Sequence, residues 1–284
     1  MPSDPYACPP VLKLPRCGWL RSQMYKFDNY FSGRWGWWLG CLADGEIGDK
    51  QIPQIDFGNS PYTAKLTELD RCLKASGFVG KSLTEQLGTR QSVRAEVDKL
   101  IARLSYARHP HSAARLLADT LLYGFMDKGA KLPTLTQDEE TALAYAMVDL
   151  VPKFMAHPDD WASYILQHVY PNGSGLAWFP TPIELAKLMA VMLHTGDNRF
   201  QTVHEPCVGT GVTLLAASNY SLRLCGQDID ADMVAWCKVQ MYLYVPWVII
   251  PGDNIIKEFV RADAEEKARP RPKPKIRLKL RKPN

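Results

Sequence analysis

The chain has 284 residues, 46% of them hydrophobic and 23% charged, a composition that suits one large folded domain or two smaller ones. No apolar run approaches the ~20 residues that a bilayer-spanning helix needs, and the opening Met1-Pro-Ser-Asp-Pro5 has neither the basic nor the apolar region of a secretory signal. The net charge of +4 is uneven: residues 261–284 carry ten Lys/Arg against three Asp/Glu, leaving a mildly acidic body.

Seven cysteines at irregular spacings, with no Cys-x-x-Cys, argue against a disulfide framework and a zinc ribbon; reduced thiols in a cytoplasmic protein are the expectation. Shifts in composition predict four segments. Residues 1–59 are a Trp/Gly/Pro-rich stretch of unknown fold, 60–157 a helical region, 158–260 the segment that carries the motifs, and 261–284 a basic disordered tail.

In the first segment Trp19, Trp35, Trp37 and Trp38 lie close together. Such density could stack nucleic-acid bases, or fill a small core. In the second, Ser60-Pro61 reads as a helix start followed by Leu66, Leu69 and Leu73. Val93, Val97, Leu100, Ile101 and Leu104 mark a second helix, and Ala113, Leu116, Leu117, Thr120 and Leu121 a third. Thr136 and Glu139 form a capping box for a fourth. Gly77-Phe-Val-Gly-Lys-Ser82 ends like a phosphate-binding loop, but the position of its first glycine is Ala75 and no apolar strand precedes it.

The motif-bearing segment opens with a helix over 159–170. Thr181, Pro182 and Glu184 then read as cap, first and third helical residues, with Leu185, Leu188, Met189 and Met192 as the buried stripe. Phe200–His204 reads as a strand entering the Gly-rich turn Glu205-Pro-Cys-Val-Gly-Thr-Gly211. A helix from Val212, a strand over Ser221–Cys225, a helix over 231–243 and a strand over Val245–Ile250 follow. This alternation predicts half of a doubly wound α/β sheet, with ligands outside the carboxyl ends of the strands. Those ends are Glu205–Gly211, Asp228–Asp230 and Gly252–Asn254. Asp228 stands 19 residues after Gly209, where a ribose-binding carboxylate is expected. The sixth position of a dinucleotide fingerprint is Leu214, and Glu205-Pro206 suits a ligand with an amino group and a sulfonium better than a pyrophosphate. That chemistry points to S-adenosylmethionine.

At these residues the chain resembles the adenine-N6 DNA methyltransferases, in particular modification subunits of type I restriction systems and related phage or plasmid methylases. The likeness covers about residues 158–256: the Gly175–Met189 stretch with its Phe-Pro-Thr-Pro, then Val203–Leu215, Gly226–Asp230 and Gly252–Asn254. It implies an α/β fold, a partial Rossmann-like SAM-dependent methyltransferase sheet preceded by an α-helical region. It also implies roles by position. Phe179 and Thr181 would line the methionine end of the cofactor, and Glu205, Pro206, Gly209 and Gly211 would form the turn that holds it. Asp228 would bind the ribose, and Asp253 the adenine amino group. DNA and a modification-system subunit become the expected partners.

The family acts on a flipped-out adenine through an (Asn/Asp/Ser)-Pro-Pro-(Tyr/Phe) turn, and no such motif follows Asp253. The nearest stretch is Asn59-Ser-Pro-Tyr62, which reads either as a displaced catalytic turn, with Asn59 and Tyr62 as its working residues, or as the helix start already given. Two readings stay open. One is a methyltransferase-like protein that transfers methyl to adenine N6. The other is a non-catalytic SAM- or DNA-binding protein that regulates a modification system. The basic tail suits nucleic acid or simply solubility.

Overall fold

The computed structural model describes residues 13–31, 33–58, 63–77, 79–170, 179–194, 196, 199–251 and 253–268. The first segment forms two helices, α1 (Trp19–Tyr30) and α2 (Arg34–Asp44). Its tryptophans pack into the core, with Trp19 and Trp37 half-buried at its edge. Trp35 and Trp38 are buried, meet edge to face with centroids 5.4 Å apart, and Trp35 Nε1 donates to the Tyr242 carbonyl at 2.9 Å. That bond satisfies the one polar atom of a buried indole.

The helical region contributes α3 (Thr63–Ala75), α4 (Leu83–Leu87), α5 (Arg90–Ala107) and α6 (Pro110–Phe125). Ser82, from the loop that imitates a phosphate site, instead caps α4 in a capping box with Glu85. The positions picked out by three- and four-residue spacing on α5 and α6 are buried. Helix α7 (Gln137–Tyr145) begins at the Thr136/Glu139 box and passes through a π-helical turn over Ala146–Leu150 into α8 (Val151–Ala156). Pro152 accounts for the turn. It has no N–H to return to Val148, and the ladder slips so that Val151 N donates to Ala146 O.

The last segment runs α9 (Trp161–Val169), α10 (Ile183–Leu193), β1 (Thr202–Glu205), α11 (Val212–Ala217), β2 (Arg223–Gly226), α12 (Ala231–Tyr244), α13 (Pro246–Ile249) and α14 (Asp253–Ala268). β1 and β2 are parallel, with Thr202 opposite Arg223 and Glu205 opposite Gly226. With α11 they make a single βαβ unit.

This corrects the expected fold. Among the described residues the sheet has only these two four-residue strands, so the partial Rossmann-like methyltransferase sheet is absent and the chain is predominantly helical. The strand expected over Val245–Ile250 is helix α13. Pro246 supplies the fixed φ and missing N–H that suit a first helical residue. Trp247 is drawn into the core against Trp37, with centroids 5.4 Å apart, and under the Arg34 guanidinium. The apolar run is a buried turn of helix rather than a strand. Asp253 consequently opens a helix instead of ending a strand, and α14 carries order into the stretch expected to be a disordered tail. Arg223 Nη1 pairs with Asp263 Oδ1 at 2.6 Å.

One core cluster reaches from Leu20 to Trp247. At its centre α12 buries ten of its fourteen residues, the mark of a helix enclosed on all sides. Arg34 has no exposed surface. Its Nε donates to Pro53 O at 3.0 Å, Nη1 to Ser218 Oγ at 2.7 Å and to Tyr244 O at 3.1 Å, and Nη2 to Asn219 Oδ1. No helix among the described residues is long and apolar enough to cross a membrane.

Asp28, buried on α1, accepts from Gly36 N at 2.8 Å. Burial pushes its pKa up from 3.8 to about 6, against the backbone N–H groups and the Arg34 charge, which pull it down. The folded state therefore keeps this proton where the unfolded chain has released it. The resulting stabilisation is complete below the unfolded value and is lost as pH rises through about 6. Denaturant melts between pH 4 and pH 7 should find that the wild type loses up to about 3 kcal/mol more than Asp28→Asn across this window. Parallel curves would show that Asp28 does not titrate there.

Candidate functional site

A cleft opens where the two strands end. β1 delivers Glu205, the turn Pro206–Gly211 leads into α11, and β2 delivers Gln227–Asp230 ahead of α12. Pairing continues beyond the strands, with Gln227 N donating to Glu205 O at 3.0 Å and Val208 N to Gln227 O at 2.9 Å. Asp228 ties the two loops together: Oδ2 accepts from Gly209 N at 2.8 Å and Oδ1 from Asp230 N at 2.9 Å. A carboxylate has about four acceptor sites, so each oxygen can still accept from a ligand. Asp230 caps α12, accepting from Asp232 N at 2.7 Å and Met233 N at 3.4 Å.

The cleft has a volume of about 510 Å³, within the range of small-molecule sites. Phe179, Pro180, Thr181 and Met189 form one wall, the Glu205–Thr213 stretch another, and Asp228, Ile229, Asp230 and Met233 a third. Among the described residues three carboxylates line it and no lysine, arginine or histidine does.

Five of the residues selected from sequence come together here: Phe179, Thr181, Glu205, Gly209 and Asp228. Phe179 stands at the rim, 85% exposed. Pro206 belongs to the turn but not to the wall. Gly211 is directed elsewhere: at φ 94°, a Cβ on it would lie 2.8 Å from Cys237 Sγ and 3.1 Å from Met241 Cε. It allows α11 to start against α12, and does not contact the cleft. Burial pushes the Cys237 thiol up to about 12, which keeps it a neutral packing group. Asp253 starts α14; its side chain, Asn59 and Tyr62 lie outside the described residues. Thr210, Thr213, Asp230 and Met233 also line the cleft. Thr210, Thr213 and Asp230 lie within the resembling stretches but carry no role there, and Met233, in the first turn of α12, lies outside them, so only the geometry gives these residues a wall to line.

The wall formed by α10 differs from its sequence reading. Pro182, not Thr181, is the cap residue, and no side chain caps the helix; Leu185 N and Ala186 N both donate to Pro182 O at 3.0 Å. The expected buried stripe of Leu185, Leu188, Met189 and Met192 is 38–68% exposed. Ala186 and Ala190 face inward instead, against Val212 and Ala216 of α11. Small side chains let the two helices approach closely, and the larger ones turn outward.

The chain matches no protein-family model, no curated protein sequence and no solved structure.

Replacing Gly211 by alanine should be costly, since it combines a left-handed φ with a clash against α12. A loss on the order of 2–3 kcal/mol is expected in chemical denaturation of Gly211→Ala. Unchanged stability would mean that α11 and α12 are not packed as described.

Proposed function

We propose that the cleft binds S-adenosylmethionine and that the chain is an adenine-N6 DNA methyltransferase-like protein, with DNA as its methyl acceptor. The observation that carries this reading is the cleft's donor set. Among the described residues, three carboxylates with no basic side chain beside a Gly turn disfavour a pyrophosphate or a free phosphate. They favour a ligand that brings hydroxyl donors and net positive charge, because a cleft lined by one sign of charge concentrates the opposite one. Adenosyl ribose hydroxyls, an ammonium and a sulfonium meet that requirement.

The residues present fit such a ligand. Asp228 would accept from the ribose hydroxyls with its remaining lone pairs, Glu205 and Asp230 would counter the positive charges, and Phe179 and Met189 would cover apolar parts and exclude water. Bound SAM would supply a methyl group activated by the sulfonium. The resemblance carried by Phe179-Pro-Thr-Pro182, Glu205–Gly211 and Gly226–Asp230 supports the adenine-N6 class, and the Lys/Arg-rich sequence from Arg261 onward supports a polyanionic partner.

A second reading is favoured by a specific observation. Where a further strand would carry the catalytic turn, the chain forms α13 and α14, and no (Asn/Asp/Ser)-Pro-Pro-(Tyr/Phe) sequence follows. A SAM- or DNA-binding protein that regulates a modification system without transferring methyl groups fits this equally.

Calorimetric titration with SAM should give saturable binding that Asp228→Ala weakens at least tenfold, a loss of about 1.4 kcal/mol or more; no heat from the wild type would sink the shared premise that the cleft takes SAM. Tritiated methyl incorporation into unmethylated DNA separates them. Transfer to adenine supports the first, and binding without transfer supports the second.

A further inference from the structure

The turn that lines the cleft is anchored from behind by buried polar side chains. Gln240, on α12, is 1% exposed. Its Nε2 donates to Thr210 O at 2.7 Å and to Asp160 Oδ1 at 2.9 Å. Both partners are acceptors, so the amide must present its NH₂ group to them. The same Asp160 oxygen caps α9 by accepting from Ser163 N at 3.0 Å, and Ser163 Oγ lies 2.8 Å from Thr210 Oγ1. Thr210, a cleft residue, is thus held by its carbonyl from α12 and by its hydroxyl from α9.

Packing alone would favour an apolar residue at position 240, as at its buried neighbours Val239 and Met241. Gln240 Oε1 has no partner among the described residues, so this side chain bears a desolvation cost that its hydrogen bonds only partly offset. A requirement on the position of the turn accounts for that cost.

We propose that Gln240 and Asp160 are positioning residues for the cleft, fixing the Thr210 peptide and with it the Gly209–Thr213 wall. The inference rests on the reading that this cleft takes SAM. Full-length Gln240→Leu, Asp160→Ala and Asp160→Asn are compared with the wild type by calorimetry with SAM and by amide hydrogen exchange without ligand. Gln240→Leu should weaken SAM binding roughly tenfold and speed exchange over Cys207–Thr213 several-fold, with exchange over Leu116–Leu121 of α6 unchanged. Asp160→Ala should behave alike. Asp160→Asn, whose amide oxygen can replace Oδ1, should restore both properties.

Wild-type affinity and exchange in Gln240→Leu would overturn the proposal. So would faster exchange throughout the core without rescue by Asp160→Asn, which would make the pair merely structural. If the wild type binds no SAM, the functional reading fails separately, and the ligand-free exchange over Cys207–Thr213 still decides the positioning role. If Gln240→Leu does not fold, the Asp160 pair decides: faster exchange over the turn in Asp160→Ala that Asp160→Asn restores supports the proposal, and unchanged exchange in Asp160→Ala overturns it.

Discussion

The Arg34 guanidinium lies fully buried where α2, the end of α11 and the end of α12 meet. A buried cation is tolerated only where acceptors surround it, and here they come from chain segments far apart in sequence. The geometry forces the Trp-rich N-terminal stretch to close over the helix that follows β2. It also fixes Trp247 beneath the guanidinium, which commits the run after Val245 to a helical turn. Among the described residues the small βαβ unit is therefore braced by helices rather than by further strands, and its two four-residue strands hold their places without a wider sheet.

This bracing explains how a cleft can persist on so little sheet. The backbone between Glu205 and Gly211 is pinned on the strand side by Asp228, which accepts from Gly209 N. On the helix side it is held by Gly211 against Cys237 and by Gln240 beneath Thr210. The contacts that define the cleft are short and local in space, and they draw on α9 and α12 as well as on the two strands. In place of a sheet's continuous ladder, the turn relies on a few hydrogen bonds from Asp228, Gln240 and Ser163.

The legibility of the sequence followed the physics of each element. Helices with strong three- and four-residue spacing, such as α5 and α6, could be read directly because burial on one face imposes that period. Capping at Thr136 was equally plain, since a local hydrogen bond needs no distant partner. Residues 245–250 misled because a short apolar run suits either a strand or a buried helical turn, and Trp247's partners lie some 200 residues upstream. Helix α10 misled because apolar side chains were assumed to face inward, when close packing on α11 selects Ala186 and Ala190. In the cleft, glycines and carboxylates at strand ends were visible as motifs. The division of labour between Gly209 and Gly211 depends on α12 and was not.

The proposed site draws residues from α10, the Gly turn and the β2 exit around one adenosyl ligand. An experimental structure of the full chain with S-adenosylmethionine is the decisive measurement. Ligand density in the cleft, in contact with Phe179, Thr181 and Asp228, is the expected result. Ligand bound elsewhere, or a clear view of the cleft that stays empty at millimolar ligand, would contradict it.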